Sequence, residues 1–394
     1  MTTTVSAPPS DALLGVYKRP PVEFVSGSGV QLYDTDGKAY LDFVAGIAVN
    51  ALGYGDAGLT QAMRDAMEGG IVHLSNLYRT APGEQLADKM VALTFADRVF
   101  FSNSGAEANE GAFKIARRWG RAVGGAAKHE IIALRGGFHG RLFGTLAATD
   151  RPSYRAPFRP LAGGISIVER DLDELHAALN VETVAAVIVE PVQGEGGVRV
   201  IDHSFLRALR EMTRERKIAL ILDEIQCGYG RTGTFLAHEH AGIVPDLLTV
   251  AKPMAGGLPM GAILTTKAMA EPMQPGDHGT TFGGGPFVSS VALHVIDRLS
   301  DPALLAHVTS NGAWLGAALQ EIAALSGKVR AVRGVGYMWG IDVVDPAKEI
   351  VARALDAGLL ICSAGEHTLR LLPPLVMARG ELDRGVALLA QAIG

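Results

Sequence analysis

Cysteine, positive charge and long apolar runs are all scarce in this chain of 394 residues. Only Cys227 and Cys362 occur, far apart, which excludes a disulfide framework and a cysteine-rich zinc site. The 36 lysines and arginines are outnumbered by 41 aspartates and glutamates, so the broad basic face that nucleic acid requires is not expected. Residues 1–11 carry no basic or long apolar segment, and no run of about 18 apolar residues occurs. We therefore expect a cytoplasmic protein with neither nucleic-acid nor membrane partners.

Glycine, by contrast, is abundant. The 48 glycines amount to about one residue in eight, against roughly 7% in average proteins, and they follow no collagen-like period. We expect them at turns and at close approaches of the backbone. Hydrophobic residues make up 48% and charged residues 20%, which are ordinary globular values. At about 150 residues per domain, the length suggests two or three domains, or one large domain with an appendage.

Short apolar runs alternate with helical patterns between residues 97 and 253, which is the rhythm of a mostly parallel sheet. A helix is predicted over residues 105–119, with an apolar stripe for packing on the sheet. The runs lack polar alternation, as expected for strands covered on both faces. Strands are predicted at residues 98–101, 131–134, 165–168, 184–189, 219–222, 247–250 and 262–264.

The two ends of the chain read differently. Residues 22–50 contain a hairpin pattern around the turn at Asp36 and Gly37, and a long helical stretch after residue 290 precedes further strand candidates. We predict an α/β fold with a large domain over residues 61–289, whose mostly parallel central sheet is flanked by helices. Residues 1–60 and 290–394 are predicted to form a smaller α+β domain jointly.

Polar residues follow three of the predicted strands. Ser104 and Gly105 open the predicted helix after residues 98–101, which suits a phosphate site, although Ser104 could equally be a simple helix cap. Asp223 ends another strand, where ligands of open α/β sheets bind. A carboxylate there could keep a heteroaromatic ring nitrogen protonated, bind a metal, or cap a helix. Lys252 ends a third strand, where burial would lower its pKa and free the amine to attack a carbonyl, although lysines in such positions can also be structural.

A phosphate cradle, a ring-nitrogen carboxylate and a strand-end lysine together outline a pyridoxal-phosphate site. The chain resembles the class III aminotransferases, which are fold-type I pyridoxal-phosphate enzymes, over nearly its whole length. The motifs that carry the resemblance lie at residues 103–110, 138–141, 190–197, 223–226, 251–252, 278–284 and 370–375.

The resemblance implies that Lys252 bonds to the cofactor aldehyde and later moves the proton, while Asp223 pairs with the pyridinium nitrogen. It also implies a homodimer with shared active sites, because Thr281 would reach the phosphate in the neighbouring subunit. The other implied cofactor contacts are Phe138 and Ile225 on the two ring faces, Gln226 by the phenolic oxygen, and Ser104, Gly105 and Ala106 at the phosphate.

Substrate residues follow from the same resemblance. Arg370 is implied to hold the α-carboxylate of glutamate or 2-oxoglutarate and Arg141 the distal carboxylate, a task suited to the planar arginine fork. Glu195 would mask Arg370 while the amine donor is bound, which would give one pocket two specificities. Tyr17 is expected to line the same pocket.

Within the family, residues 40–49 and 73–78 resemble enzymes that act on N-acetylornithine. Ile47 stands where enzymes of ornithine typically carry a tyrosine, and an apolar side chain suits an acylated amine better than an ammonium group. Ornithine, N-succinyl-diaminopimelate, acyl-lysine and 4-aminobutyrate remain alternative donors. The chain departs from the family pattern at residues 54–56, Pro253 and Gly285.

Rival interpretations are weaker. Residues 228–233 match a dinucleotide-binding glycine pattern, but no clear acid ends a strand about 20 residues later. His238 and His240 fall on different sides of a helix, so no metal site is expected. An aminomutase or a decarboxylase would use the same lysine and aspartate, and a regulatory protein with an inactive site is a further alternative.

Overall fold

A computed structural model describes residues 12–394, and none of its helices combines the length and apolar composition needed to cross a bilayer. Short 3-10 helices lie at Ala156–Phe158, Ala237–Ala241 and Lys252–Ala255. The strands are β1 (Phe24–Ser28), β2 (Gln31–Asp34), β3 (Ala39–Asp42), β4 (Arg98–Ser102), β5 (Glu130–Leu134), β6 (Ile165–Val168), β7 (Val184–Val189), β8 (Val192–Gln193), β9 (Arg199–Val200), β10 (Ala219–Asp223), β11 (Leu247–Val250), β12 (Gly261–Thr265), β13 (Val329–Val335), β14 (Met338–Val343), β15 (Leu359–Leu360), β16 (Cys362–Ser363) and β17 (Thr368–Leu371). The helical segments are α1 (Ala45–Ala48), α2 (Ala57–Glu68), α3 (Ala81–Leu93), α4 (Gly105–Gly124), α5 (Phe143–Ala148), α6 (Pro152–Arg155), α7 (Leu172–Ala178), α8 (His203–Glu215), α9 (Lys267–Ala270), α10 (Pro286–Leu299), α11 (Pro302–Leu325), α12 (Ala347–Asp356) and α13 (Arg379–Ile393).

The central sheet has the strand order β4-β12-β11-β10-β7-β5-β6. Every neighbouring pair is parallel except those that involve β12, which runs antiparallel to both β11 and β4. The connection from Val250 to Gly261 holds only a short 3-10 helix, and it is too short for the crossover that a parallel neighbour requires. The predicted mostly parallel sheet in an α/β fold is confirmed.

Successive residues of these strands are buried in two different apolar clusters. Ile132 and Leu220 belong to one cluster, and their neighbours Ile131 and Ile221 belong to the other. Because side chains alternate across a strand, the sheet is covered on both faces, which explains why its strands show no polar alternation. All residues of β7, β10, β11 and β12 are buried.

Helix α4 follows β4 directly and packs on one face of the sheet. Ala112 and Ala116 of the predicted apolar stripe are fully buried, and the helix extends to Gly124, beyond the predicted residue 119. Ser104 caps its start by accepting a hydrogen bond from the Glu107 N–H (3.3 Å), while the Glu107 carboxylate accepts one from the Asn103 N–H (2.6 Å). The start of α4 is thus set at the carboxyl end of β4.

Both chain ends build the second layer of strands. The hairpin prediction is confirmed, since β2 pairs antiparallel with β3 and Gly37 adopts a φ of +79° in the turn. The sheet β1-β2-β3-β15 joins residues near both termini, and the sheet β13-β14-β17-β16 brings Arg370 towards the large sheet. Gly385 of α13 packs on Phe43 so closely that a Cβ there would lie 2.1 Å from the ring. The C-terminal helix therefore packs tightly against the residue that follows β3.

Candidate active site

A cavity of about 460 Å³ opens at the carboxyl ends of the central strands. Parallel strands bring their carboxyl ends to one edge, so residues from distant segments of the chain converge there. The cavity is lined in part by nine of the residues predicted from sequence: Ser104, Gly105, Ala106, Phe138, Arg141, Asp223, Ile225, Gln226 and Lys252.

Lys252 follows β11 and adopts a φ of +32°, a left-handed backbone conformation that is uncommon for a residue with a side chain. Strain of this kind persists only where the surrounding structure imposes it, and Pro253 with the buried Met254 follows immediately. Desolvation lowers the pKa of Lys252, an effect that the nearby Asp223 opposes. The amine is therefore easier to deprotonate than an exposed lysine, as a nucleophile or a base requires.

Asp223 ends β10 and is only 3% exposed. Its Oδ2 accepts hydrogen bonds from Asn109 Nδ2 (2.7 Å) and from His139 Nδ1 (2.9 Å). Its Oδ1 accepts one from the Ile225 N–H (3.1 Å). Three donors thus hold this buried carboxylate in place at the cavity.

The partners of Asp223 were not assigned a role from sequence. Asn109 is itself oriented, because its Oδ1 accepts a hydrogen bond from Thr249 Oγ1 (2.7 Å), and Thr249 lies beside Asp223 in the β10–β11 pair. The available signals were weak: Asn109 lies one helical turn after Gly105, and His139 directly follows Phe138. Neither spacing shows that the two side chains meet at one carboxylate oxygen.

The start of α4 forms one end of the cavity wall. A Cβ on Gly105 would lie 2.7 Å from Ile225 Cδ1, so glycine permits the helix terminus and Ile225 to face the same small space. The first N–H groups of an α-helix have no acceptor within the helix, and they attract anions together with the helix dipole. This end of the cavity fits a phosphate group.

Arg370 approaches the cavity from β17 and is 2% exposed. Its Nη1 forms an ion pair with the Glu195 carboxylate and also donates to Gln226 Oε1 (3.1 Å), while its Nε contacts Cys362 Sγ (3.4 Å). Burial opposes ionisation of Glu195, but the Arg370 charge prevails and lowers the pKa of that carboxyl. Glu195 is therefore paired with Arg370 in this conformation, and its masking role stays a prediction.

The other predicted residues differ in their distance from the cavity. Arg141 lines it and is exposed, with its guanidinium 4.3 Å from the centre of the Tyr154 ring, a cation–π contact. Tyr17 is 70% exposed and Ile47 is 38% exposed, and neither is among the lining residues. Thr281, which was expected at the phosphate of the neighbouring subunit, lines a second cavity. The roles assigned to all the site residues stay predictions.

Glu190 is a further buried group. It lies in the motif at residues 190–197, but the sequence assigned it no role. Its carboxylate accepts hydrogen bonds from the Phe138 N–H (2.7 Å) and the Gly194 N–H (3.3 Å), so it joins two cavity loops. Burial, assisted by the charge of Asp223, raises the pKa of Glu190 to about 7 although His139 opposes the shift. An acidic residue directly after the wholly apolar strand β7 was the available signal.

Comparisons with known proteins agree with this geometry. The family model of the class-III aminotransferases matches residues 16–393. The mitochondrial acetylornithine aminotransferase of Alnus glutinosa is 42% identical over 97% of this chain and 85% of its own length. The structure of N-acetylornithine aminotransferase from Stenotrophomonas maltophilia has a TM-score of 0.84 at 35% identity, covering 95% of this chain and 96% of its own. Ornithine aminotransferase from Toxoplasma gondii has a TM-score of 0.93 at 28% identity, covering 97% and 92% respectively.

The fold and the cavity define a pyridoxal-phosphate-dependent enzyme. The residues present fit that cofactor, since the start of α4 offers free N–H groups to a phosphate, and a buried carboxylate and a desolvated lysine line the same cavity. Arg370 and Glu195 stand beside this cavity, where an amino-group transfer needs a carboxylate site. The chain belongs to the class-III aminotransferases.

The raised pKa of Glu190 gives a pH-dependent stability with a definite sign. Between the unfolded value of 4.5 and about 7, the folded state binds more protons, so the stabilisation present at low pH is lost as pH rises through this range. Glu190→Gln removes the titration. We expect the free energy of unfolding of the unsubstituted protein to fall relative to that of the variant between pH 4.5 and about 7. Urea unfolding of both proteins at one protomer concentration measures this, and a difference that stays constant or changes in the opposite sense would contradict the assignment.

Proposed function

We propose that this enzyme transfers the δ-amine of N-acetylornithine to 2-oxoglutarate, which gives N-acetylglutamate semialdehyde and glutamate, a reaction of arginine biosynthesis. The Glu195–Arg370 pair beside the lysine cavity is the observation that carries the proposal, because it offers one covered carboxylate site to two unlike substrates. Similarity to acetylornithine aminotransferases supports the choice of donor. The alternative is another terminal-amine donor of the same family: ornithine, succinyldiaminopimelate, an acyl-lysine or 4-aminobutyrate.

Pyridoxal phosphate, when bound, supplies an electron sink for the charge left on the amine-bearing carbon. The chain supplies the binding and the proton transfers. Lys252 Nζ would bind the cofactor aldehyde until the amine donor displaces it. The freed Lys252 amine would then act as the general base that removes a proton from the substrate δ-carbon. Asp223, which Asn109 and His139 hold in place, would pair with the ring nitrogen and keep it protonated. Phe138 and Ile225 would cover the ring faces, Gln226 would adjoin the ring oxygen, and Ser104, Gly105 and Ala106 would hold the phosphate.

Two substrates are proposed to use the same cleft in turn. Arg370 binds the α-carboxylate of 2-oxoglutarate once Glu195 moves aside, and Arg141 binds the distal carboxylate. While the amine donor occupies the site, Glu195 stays on Arg370 and neutralises it. Ile47 and Tyr17 are proposed to complete the pocket for the acylated end of the donor.

The donor is tested by adding five amines to the purified yellow holoenzyme and ranking the rates at which the cofactor absorbance disappears. We expect N-acetylornithine to react fastest, and a rate ten-fold higher with any other donor would contradict the proposal. Lys252→Ala should lower turnover by at least about a hundred-fold, as expected for loss of the general base. Lys267→Ala, at an exposed lysine that opens α9, is the matched control and should leave turnover unchanged.

The proposed masking of Arg370 by Glu195 is tested by Glu195→Gln. This change preserves the shape of the side chain but leaves the charge of Arg370 without a counter-charge. We expect the half-reaction with the amine donor to slow about ten-fold more than the half-reaction with glutamate, in which Arg370 binds the substrate. Single-turnover absorbance traces measure each half separately in the same protein. Equal losses in both halves would show that Glu195 does not distinguish the two substrates.

We propose that the active unit is a homodimer in which Thr281 completes the partner's phosphate site. Thr281 lines a second cavity of about 820 Å³, which residues of the 73–84 segment also line. Leu77 and Phe282 beside it are 89% and 63% exposed. His73 contacts Phe282, with ring centres 5.3 Å apart, so these two segments adjoin. Large exposed apolar side chains around one cavity are typical of an interaction surface.

Hybrid dimers test the shared site. Lys252→Ala should be inactive and Thr281→Ala should bind the cofactor weakly, yet a mixed dimer contains one site in which both residues are intact. We expect co-refolded subunits to recover activity above the mean of the two homodimers at low cofactor concentration. No recovery, or a sedimentation mass of one 41.4 kDa chain, would refute the shared site.

We also propose the domain division 61–289 against 1–60 with 290–394, in line with a sheet that joins residues near both termini. The first part of the smaller domain, residues 1–11, lies outside the described residues. A cytoplasmic location is proposed as well, which cell fractionation tests.

A further inference from the structure

Residues Ala45 to Ala48 form a left-handed turn. Their φ angles are +50°, +62°, +65° and +64°, and only Gly46 among them lacks a side chain. Single residues other than glycine visit this region uncommonly, and a β-branched residue such as Ile47 is an outlier there. Consecutive strained residues persist only when neighbouring groups hold them. Neighbouring groups must therefore hold this turn.

Asp42 anchors the entrance of the turn. It is 1% exposed, and its Oδ1 accepts hydrogen bonds from the Val44 N–H (2.7 Å) and the Ala45 N–H (2.9 Å). Its Oδ2 accepts a hydrogen bond from Tyr54 Oη (2.6 Å), and Asn50 Nδ2 donates to the same hydroxyl (3.2 Å). The Tyr54 hydroxyl therefore fixes the carboxylate on which the first two N–H groups depend.

Tyr54 is itself held by the first hairpin. Its N–H donates to the Gly29 carbonyl (2.7 Å), and the Gly29 N–H donates to the Tyr54 carbonyl (2.9 Å). The ring lies against Gly27, where a Cβ would be 2.8 Å from it. Burial and the adjacent Asp42 raise the pKa of Tyr54, so its hydroxyl remains a donor at physiological pH. The backbone around Gly29 thus holds Tyr54, whose hydroxyl bonds to Asp42 at the entrance of the strained turn.

The turn borders the substrate cavity. Val49, the next residue, lines the cavity, and Asn50 Oδ1 lies 3.5 Å from where a Cβ on the lining residue Gly257 would stand. Before the turn, the Phe43 carbonyl accepts a hydrogen bond from the Leu372 N–H (2.7 Å), two residues beyond Arg370. A shift of the turn would therefore move one cavity wall relative to the carboxylate-binding arginine.

We propose that Tyr54 is a positioning residue for substrate binding: through Asp42 it holds the left-handed turn at residues 45–48, which sets the Val49 wall of the cavity. The inference rests on the proposed use of this cavity for the amine donor. Tyr54 acts at a distance, so it affects how well a substrate fits rather than the proton transfers at Lys252.

Tyr54→Phe removes the hydroxyl and keeps the ring. We expect the KM for N-acetylornithine to rise about five-fold, the factor that corresponds to the net worth of one hydrogen bond. The kcat should stay within about two-fold and the cofactor absorbance should not change. Tyr40→Phe is the matched control, because buried Tyr40 donates to Asp34 Oδ2 (2.9 Å) and does not line the cavity. It should leave KM unchanged.

A rescue experiment separates positioning from general destabilisation. Ala48→Gly relieves the strain at a φ of +64°, so it should restore KM when combined with Tyr54→Phe. Ala51→Gly is the control, since Ala51 is also buried but has no positive φ. It should restore nothing. Asn50→Ala removes the hydrogen bond from Asn50 Nδ2 to the Tyr54 hydroxyl. As a single substitution it should also raise the KM for N-acetylornithine.

Three results would overturn the inference: an unchanged KM in Tyr54→Phe, an equal rise in Tyr40→Phe, or an equal rescue by Ala51→Gly. They differ from failure of the proposed function, which would show as inactivity of the unsubstituted enzyme towards N-acetylornithine. In that case the same KM comparison is made with the donor that the enzyme does convert.

Discussion

The site depends on how the Asp223 carboxylate is held, because this side chain is only 3% exposed and lines the cavity. A buried polar group costs free energy unless its hydrogen bonds are made. Asn109, His139 and the Ile225 N–H supply three hydrogen bonds to this carboxylate. Thr249 in turn orients Asn109. The helix α4 and two strands must therefore keep their register for the chemistry to proceed.

Contacts outside the large sheet also position the site, and they involve both ends of the chain. Arg370 is placed by the pairing of β17 with β14 and β16, and the Leu372 N–H donates to the Phe43 carbonyl. Phe43 packs against Gly385 of the last helix, so the residues after β3, the arginine strand and the C-terminus form one support. Arg370 then joins this support to Glu195 after β8 and to Gln226 after β10. The proposed carboxylate site and the packing of the chain ends therefore depend on the same contacts.

The sequence predicted the parts that follow from local chemistry. Apolar runs located the strands, and residues at their carboxyl ends located Ser104, Asp223 and Lys252, because chain order and strand edge decide where such residues meet. Side-chain partners from distant segments were missed: no pattern tells that Asn109 and His139 donate to the same oxygen. The left-handed turn was missed too, since Ala45 and Ile47 are poor candidates for positive φ and only tertiary contacts impose it. Resemblance supplied Glu195 and Arg370, which periodicity could not.

The short connection between β11 and β12 has a consequence for how this enzyme can diversify. Residues 251–260 carry Lys252 and part of the cavity wall, and both of their ends are fixed in fully buried strands, β11 and β12. A change of length there would disturb the position of Lys252 between these two strands. New amine preferences are then expected from changes at the exposed rim around Arg141, which lies away from the segment that carries the lysine. Directed evolution of the donor range is best aimed at that rim.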